Sequence, residues 1–159
     1  MLILFLYLNL FFSQTQDYFY HWGEPEDGVI LGLSISDDVL GFYIMNLADT
    51  EITVYSHVSA GQKHFDHYYL HLQYLFGEEQ IVEFTGNRNR SAPVFISLEP
   101  YQILGNYVYL KDWCSKPRFN IRNGLAIIWL EYNYVIDHPG YDQWMGILYS
   151  NKVMTTIDD

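Results

Sequence analysis

Short runs in which every second residue is apolar constrain the fold of this chain more than any other feature. The clearest run places Tyr68, Leu70, Leu72, Tyr74 and Phe76 at alternate positions, which is the spacing of side chains along one face of a β-strand. Runs of this kind recur roughly every 8 to 12 residues, and no segment sustains a long helical period. The pattern predicts an all-β sandwich or barrel of about nine strands. The predicted strands cover residues 29–35, 40–44, 52–56, 68–76, 81–85, 94–98, 102–110, 125–136 and 145–157.

Turn-forming residues separate these runs. The stretch from Asn46 to Thr50 joins the second and third predicted strands, and a polar connection this short predicts a hairpin between them. Residues 111–116 are predicted to form a single helical turn.

Composition sets the class of protein and of partner. A chain of 159 residues, half of them apolar by type, can bury a core without disulfides or a structural metal. The net charge of −11, from 19 acidic and 8 basic side chains, leaves it without the basic footprint that nucleic acids and anionic membranes require. We therefore expect neither as a partner.

The amino terminus predicts export. Residues Met1 to Phe12 are almost wholly apolar, and as a helix they would span only about 18 Å, too short for a bilayer. Ser13 and Thr15 supply the small residues that precede a signal-peptidase cut near Gln16. We therefore predict a signal peptide at 1–16, a polar lead segment at 17–28 and a single domain at 29–159. The mature chain would have no membrane span and would be secreted, periplasmic or at the cell surface.

A second interpretation of the same segment remains open. Leucine occupies positions 2, 4, 6, 8 and 10, and strict alternation is the period of a strand. The segment could therefore be an extended strand that is donated to a neighbour's sheet.

Charge is distributed unevenly along the chain. Residues 17–59 contain eight acids and no Lys or Arg, whereas six of the eight basic residues lie between Arg88 and Arg122. An acidic patch and a basic patch on neighbouring molecules could meet head to tail. The distribution predicts self-association that high salt weakens.

Several stretches together resemble an immunoglobulin-like module of exported bacterial proteins. They are His21–Glu24, Asp27–Val29, Asn46–Val54, Arg88–Val94, Ser97–Pro100, Leu110–Trp113 and Trp144–Val153. The resemblance covers nearly everything after about residue 20 and implies an antiparallel, two-sheet β-sandwich of about seven to nine strands with an accessory or adhesive role. The chain departs from the pattern at Glu99–Gln102, where a Pro-Gly turn is usual, and in the basic segment Ser115–Arg122.

No catalytic motif is present in the sequence, so we expect a protein that is not an enzyme and that needs no cofactor. The nucleophile elbow, the His-Glu-x-x-His zinc motif and the phosphate-binding glycine loops do not occur. Cys114 is the only cysteine and cannot form an internal disulfide. Its place beside Trp113 predicts a buried thiol, and an intermolecular link is the alternative.

A histidine cluster offers a possible metal site. His64, Asp66, His67 and His71 fall within eight residues, and on a helix the three imidazoles would share a face and could bind zinc or copper. On a strand, His67 and His71 point one way and His64 the other. Because the segment is predicted as a strand, we expect these histidines at a strand entry and on its solvent face, with a metal site as the alternative.

Tyrosine and tryptophan are abundant in the carboxy-terminal half, where alternate ones should fill the core and the rest face outward. Outward rings form platforms for protein contacts or for stacking of sugars. The predicted binding residues are Arg88, Arg90, Trp113, Arg118, Arg122, Tyr141 and Trp144. Asn89 begins an N-glycosylation triplet in a predicted loop. The sequence therefore predicts a non-enzymatic module for protein binding or assembly at the cell surface, with glycan binding through outward Tyr and Trp as the alternative.

Overall fold

A computed structural model of the protein describes residues 20–37, 39–55, 58–59, 62–63, 67–83, 95–113 and 123–157. The strands are β1 (His21–Trp22), β2 (Val29–Ser36), β3 (Val39–Asn46), β4 (Ile52–Tyr55), β5 (Val58–Ser59), β6 (Gln62–Lys63), β7 (Tyr68–Tyr74), β8 (Glu79–Glu83), β9 (Phe95–Leu98), β10 (Ile103–Tyr109), β11 (Gly124–Tyr134), β12 (Gly146–Tyr149) and β13 (Val153–Ile157), and the one helical turn is α1 (Leu110–Trp113). Predictions for the export segment at 1–16 and for His64, Asp66, Arg88, Asn89, Arg90, Cys114, Arg118 and Arg122 lie outside the described residues.

The all-β prediction is confirmed. Each of the first eight predicted strands has an observed counterpart, and the helical turn begins at Leu110, one residue earlier than predicted. The last predicted strand, 145–157, is instead two strands, and both pair with β11. Ser150 separates them because its backbone N–H donates to the Leu130 carbonyl and its Oγ accepts from the Leu130 N–H, each at 2.9 Å.

All strand pairs in the described residues are antiparallel. One sheet has four strands in the order β1-β2-β3-β10, and the other has the order β12-β11-β7-β8 with β13 also on β11. Short two-stranded sheets join β4 to β9 and β5 to β6. The chain is therefore a sandwich-like assembly in which β11 organises the larger sheet.

The predicted hairpin across Asn46–Thr50 is wrong. Strand β3 pairs with β2 on one side and with β10 on the other, and β4 pairs with β9. No edge of β3 is left for β4, so the turn carries the chain into another sheet. The buried Asn46 side chain holds this turn, since its Oδ1 accepts from the Ala48 N–H at 2.8 Å and its Nδ2 donates to the Thr50 carbonyl at 2.8 Å.

One hydrophobic cluster fills the space between the two larger sheets. It draws alternate residues from β2, β3, β7 and β11, and its rings include Phe42, Tyr68, Tyr132 and Trp113. The Trp113 Nε1 donates to the Val82 carbonyl at 3.0 Å, which ties α1 to β8. No helix in the described part of the chain has the length and apolar character needed to cross a membrane.

Candidate ligand-binding face

The outward side of the four-stranded sheet carries no Asp, Glu, Lys or Arg among the described residues, although the whole chain has a net charge of −11. We call this surface the aromatic face. Its members alternate along each strand with residues of the core, and Tyr20 joins them ahead of β1. They are Tyr20, Trp22, Ile30, Gly32, Ser34, Ser36, Val39, Gly41, Tyr43, Met45, Ile103, Gly105, Tyr107 and Tyr109.

Large rings and glycines alternate across this face. The strand register places Trp22 opposite Gly32, Gly32 opposite Tyr43, and Tyr43 opposite Gly105. A Cβ atom on Gly32 would lie 2.6 Å from the Trp22 ring, and one on Gly105 would lie 2.5 Å from the Tyr43 ring. The Trp22 and Tyr43 rings therefore pack directly against the glycine backbone, and a larger residue at either glycine would displace them from the sheet surface.

A groove lies on the same face beside these rings, where Gly41 is opposite Ser34 on one side and Tyr107 on the other. It encloses about 260 Å³ and is lined by Ser34, Val39, Gly41, Tyr43 and Tyr107. Gly41 forms the floor, because its Cβ would lie 2.5 Å from both the Ser34 Oγ and the Tyr43 Oη. Those two hydroxyls are 3.3 Å apart and hydrogen-bond to each other.

Three rings form a cluster beside the groove. Tyr20 meets Tyr43 edge-on at 4.7 Å between centroids and lies 5.8 Å from Trp22, and Trp22 lies 6.5 Å from Tyr43. Edge-on and tilted pairs of this kind are favourable ring geometries. The cluster fixes the position of Tyr43, which is a wall of the groove.

Tyr107 is the most exposed ring in the groove lining, with 61% of its surface accessible. It lies on β10 opposite Gly41 of β3, and Tyr109 follows it on the same side of the strand. A ring held on a strand and exposed to this degree can contact a ligand without rearrangement of the sheet.

Two predicted binding residues lie in the core instead of on the surface. Trp113 is fully buried, and Trp144 is only 9% exposed and belongs to the hydrophobic cluster. Trp144 stacks on Tyr132 at 6.0 Å between centroids. The expectation of an outward-facing Trp144 is therefore wrong, because the segment before β12 folds back over the end of β11. The Trp144 backbone N–H donates to the Thr53 carbonyl at 2.7 Å.

Tyr141 is exposed, as a binding residue must be, but it lies apart from the aromatic face. Its ring packs on Phe95 at 4.5 Å between centroids. Phe95 in turn contacts His138 and Tyr134, so Tyr141 covers a separate aromatic group at the end of β9.

The structure separates the two described members of the histidine cluster. The His67 ring packs against Tyr134 at 4.7 Å and Tyr55 at 4.9 Å, on the core side of β11. The His71 ring stacks on Trp129 at 4.8 Å, on the other side. His67 and His71 do not face the same way, because His67 precedes β7 and lies in the turn. Among the described residues, no group of three or more His, Cys, Asp or Glu side chains is arranged to hold a metal ion.

Burial controls the ionisation of the core tyrosines. Burial, and then the neighbouring Tyr55, raise the pKa of Tyr134 to about 12. Burial also raises the pKa of Tyr68 and of Tyr132. These hydroxyls stay neutral in the folded protein near neutral pH, which suits packing in a core.

Sequence reasoning missed most of the groove. Tyr107 and Tyr109 belong to the tyrosine-rich carboxy-terminal half for which outward rings are predicted, but no prediction covers Trp22, Ser34, Gly41 or Tyr43. A usable pattern was present in the sequence, since Gly32, Gly41 and Gly105 interrupt predicted strands, and glycine inside a strand often marks the close approach of another group.

Compared with protein-family models, with curated proteins and with solved structures, the chain matches none.

Proposed function

We propose that this chain is a non-enzymatic, exported β-sandwich of the immunoglobulin-like kind that binds neutral glycans at the cell surface through its aromatic face. The observation that carries the proposal is the groove of Ser34, Val39, Gly41, Tyr43 and Tyr107 on a sheet surface whose described residues include no charged side chain. The apolar segment 1–12 and the sequence without a catalytic motif support export and a binding role.

The rings suit the apolar faces of a sugar. A pyranose ring presents C–H groups on its faces and hydroxyls around its edge, so its faces pack on aromatic rings. Trp22 and Tyr43 lie against glycines of the neighbouring strand, and Tyr107 stands exposed beside the groove. Tyr and Trp combine a large apolar surface with a polar atom, which is the combination that an amphipathic ligand needs.

The hydroxyls in the groove suit the polar edge of a sugar. The Ser34 Oγ and the Tyr43 Oη bond to each other at 3.3 Å. A hydroxyl has one donor and two acceptor positions, so this single bond leaves unused hydrogen-bonding positions on both groups, and the less buried Tyr43 hydroxyl is the one a ligand would meet first. Apolar walls with a few placed polar groups are typical of small-ligand sites.

Charge favours a neutral ligand. The face carries no charged side chain among the described residues, and the chain as a whole has a net charge of −11. A sulfated or sialylated glycan would be repelled by that field and would find no Arg or Lys on this face to pair with. We therefore expect neutral hexose-containing glycans.

A glycan array followed by calorimetry tests the proposal. The wild-type protein should retain neutral glycans on the array, and Tyr107→Ala should lower the affinity for a retained glycan by about tenfold or more. Tyr141→Ala is the matched control, because Tyr141 is an exposed tyrosine outside the aromatic face. It should leave the affinity unchanged.

Two results would contradict glycan binding through this face. One is retention of no neutral glycan by the folded wild-type protein. The other is binding that survives Tyr107→Ala and is lost with Tyr141→Ala, which would move the site to the aromatic group around Phe95.

Self-association is a second candidate function, favoured by the acidic loops. The Leu47 N–H donates to the Gly28 carbonyl at 2.7 Å, which brings the loop before β2 against the loop after β3. The exposed acids of these loops are Glu24, Glu26, Asp27, Asp49 and Glu51. They could dock on the basic 88–122 segment of a second copy. Sedimentation at low and at high salt tests this, and a monomer under both conditions would reject it.

A further inference from the structure

Asn123 and Gly124 form a junction at the start of β11. Asn123 immediately precedes the strand and is exposed, and Gly124 is the first residue of the strand. Nowhere else in the sequence does glycine follow asparagine. Both residues line a cavity of about 550 Å³ at the β7–β8 turn. The junction belongs to the five-stranded sheet, so it is independent of the aromatic face.

The fold requires glycine at position 124. Gly124 has a φ of +143°, a backbone conformation that residues with a side chain rarely adopt. No described atom lies within 4 Å of the position that a Cβ would occupy, so conformation rather than space demands glycine. Glycine has no side chain to shield its own backbone nitrogen. The fold therefore keeps an unhindered nitrogen directly after an exposed asparagine.

The two residues can react with each other. The Gly124 nitrogen attacks the Asn123 Cγ and a C–N bond forms, while the side-chain nitrogen leaves with the amide proton as ammonia. The product is a five-membered succinimide ring. Water from the surrounding solvent then opens the ring at either carbonyl. One opening gives aspartate, and the other gives isoaspartate, in which the main chain runs through Cβ and Cγ and is longer by one methylene.

The position of the junction at the end of a ladder makes the nitrogen accessible. The Leu130 backbone bonds Ser150, so the even-numbered residues of β11 direct their N–H and C=O groups towards β12 and β13. Gly124 therefore bonds Ile157, its partner in β13. This is the last pair of the ladder, and end pairs open more readily than the pairs behind them. Ala126, two residues further on, is fully buried, so the Gly124 pair can open while the sheet stays folded.

We propose that Asn123 is a site of spontaneous deamidation in the folded protein, and that its isoaspartate product opens the pair between Gly124 and Ile157. The added methylene lies between the Asn123 Cα and the Gly124 nitrogen, so it displaces Gly124 along the ladder. Ala126 and the buried residues after it hold the rest of β11 in register. The displacement is therefore confined to the end of the sheet.

Peptide mapping by mass spectrometry tests the modification site. The purified protein is kept folded in warm, mildly alkaline buffer, and samples are digested over time. The peptide that contains Asn123 should gain about 1 Da and should be labelled by isoaspartyl methyltransferase. Conversion at Asn123 should be about tenfold or more faster than at Asn151, an exposed asparagine that is followed by lysine.

Two variants and a denatured sample control this measurement. Asn123→Gln should abolish the fast conversion, because a glutamine side chain would have to close a larger ring. Asn151→Gln should leave it unchanged. Conversion of Asn123 only in denaturant, or at the rate of Asn151 in the folded protein, would overturn the proposal.

Amide exchange of the converted protein tests the structural consequence. Exchange at Ile157 should rise about tenfold on conversion to isoaspartate, while exchange at Ala126 should stay as in the unconverted protein. Asn123→Asp is the matched control, since it adds the same charge without the extra methylene. It should leave Ile157 exchange near the wild-type rate. Unchanged Ile157 exchange after conversion, or an equal rise in Asn123→Asp, would show that isoaspartate does not open the pair.

Discussion

The Asn46 Nδ2 donates a hydrogen bond of 2.9 Å to the Leu98 carbonyl, and this bond joins the end of β3 to the end of β9. The same fully buried side chain also bonds Ala48 and Thr50. One amide therefore shapes the turn after β3 and attaches the β4–β9 pair to the four-stranded sheet. These bonds are the physical reason why the chain leaves one sheet and enters another at this point.

Asn46→Ala should lower the free energy of unfolding by about 3 kcal/mol. The substitution removes the donor to the Thr50 carbonyl and leaves the buried Leu98 carbonyl without this donor, and an unsatisfied buried group costs more than the bond itself contributes. Chemical denaturation measures the change. Asn151→Ala, at an exposed position, should change the free energy of unfolding by less than about 0.5 kcal/mol. Equal effects of the two substitutions would show that the amide does not hold the turn.

Gly41→Ala should damage the groove from beneath. The new Cβ would lie 2.5 Å from the Ser34 Oγ and the Tyr43 Oη, so both hydroxyls must move. We expect a loss of about 1–3 kcal/mol in stability together with loss of glycan binding. Gly77→Ala is the control, because its Cβ would meet Tyr74 at an ordinary 3.5 Å. A Gly41→Ala protein that matches wild type in stability and binding would show that the groove floor has no role.

Trp113→Phe should separate the packing of this residue from its hydrogen bond. Phenylalanine keeps an aromatic ring in the core but loses the Nε1 bond to the Val82 carbonyl, at a cost of about 1–2 kcal/mol. Trp113→Ala should cost about 3–5 kcal/mol, because it also leaves a cavity. Thermal and chemical denaturation measure both changes. Similar losses in the two variants would assign the effect to the hydrogen bond alone.

The protein should lose stability above about pH 10, the ordinary pKa of tyrosine. Burial raises the pKa of Tyr68, of Tyr132 and, to about 12, of Tyr134. The unfolded chain therefore releases protons that the folded chain keeps. Stability is complete below the unfolded pKa and falls as pH rises, by about 1.4 kcal/mol per pH unit for each such group.

Tyr134→Phe tests this alkaline effect. The Tyr134 hydroxyl is buried and has no hydrogen-bond partner among the described residues, so its removal should cost little stability near neutral pH. The slope of stability against pH should become shallower above about pH 10. Tyr141→Phe, at an exposed site, should leave the slope as in wild type. Denaturation monitored through tyrosinate absorbance measures both, and an unchanged slope in Tyr134→Phe would contradict the assignment.

The strands were predictable because their cause is local. The alternation from Tyr68 to Tyr74 follows from a core on one side of β7, and the observed strand covers those residues. Strand partners were less predictable. The turn at Asn46 suggested a hairpin, but β10, which lies more than fifty residues later, takes the edge of β3. A local pattern carries no information about which distant strand occupies an edge.

The candidate site shows the same difference between local features, which the sequence reveals, and features that depend on distant strands. No feature of the sequence marks Tyr107 among its several tyrosines, whereas Trp113 and Trp144 are predicted binding residues because tryptophan is common at interfaces. The structure places both tryptophans in the core. It places Tyr107 opposite Gly41, beside Tyr43 and Ser34. That arrangement depends on the register between three strands, which is set by packing of the whole sheet.

By itself, the sequence determined that this chain is built of β-strands and where most of them lie, because side-chain alternation follows directly from the pleat of a strand. It also determined the strong acidity of the chain. Only the tertiary structure decided which rings are exposed, that the described outward residues of the four-stranded sheet are all uncharged, and that His71 lies between the carboxylates of Glu79 and Glu131. Those properties join residues from strands far apart in the chain, and they exist only after long-range pairing has fixed the register.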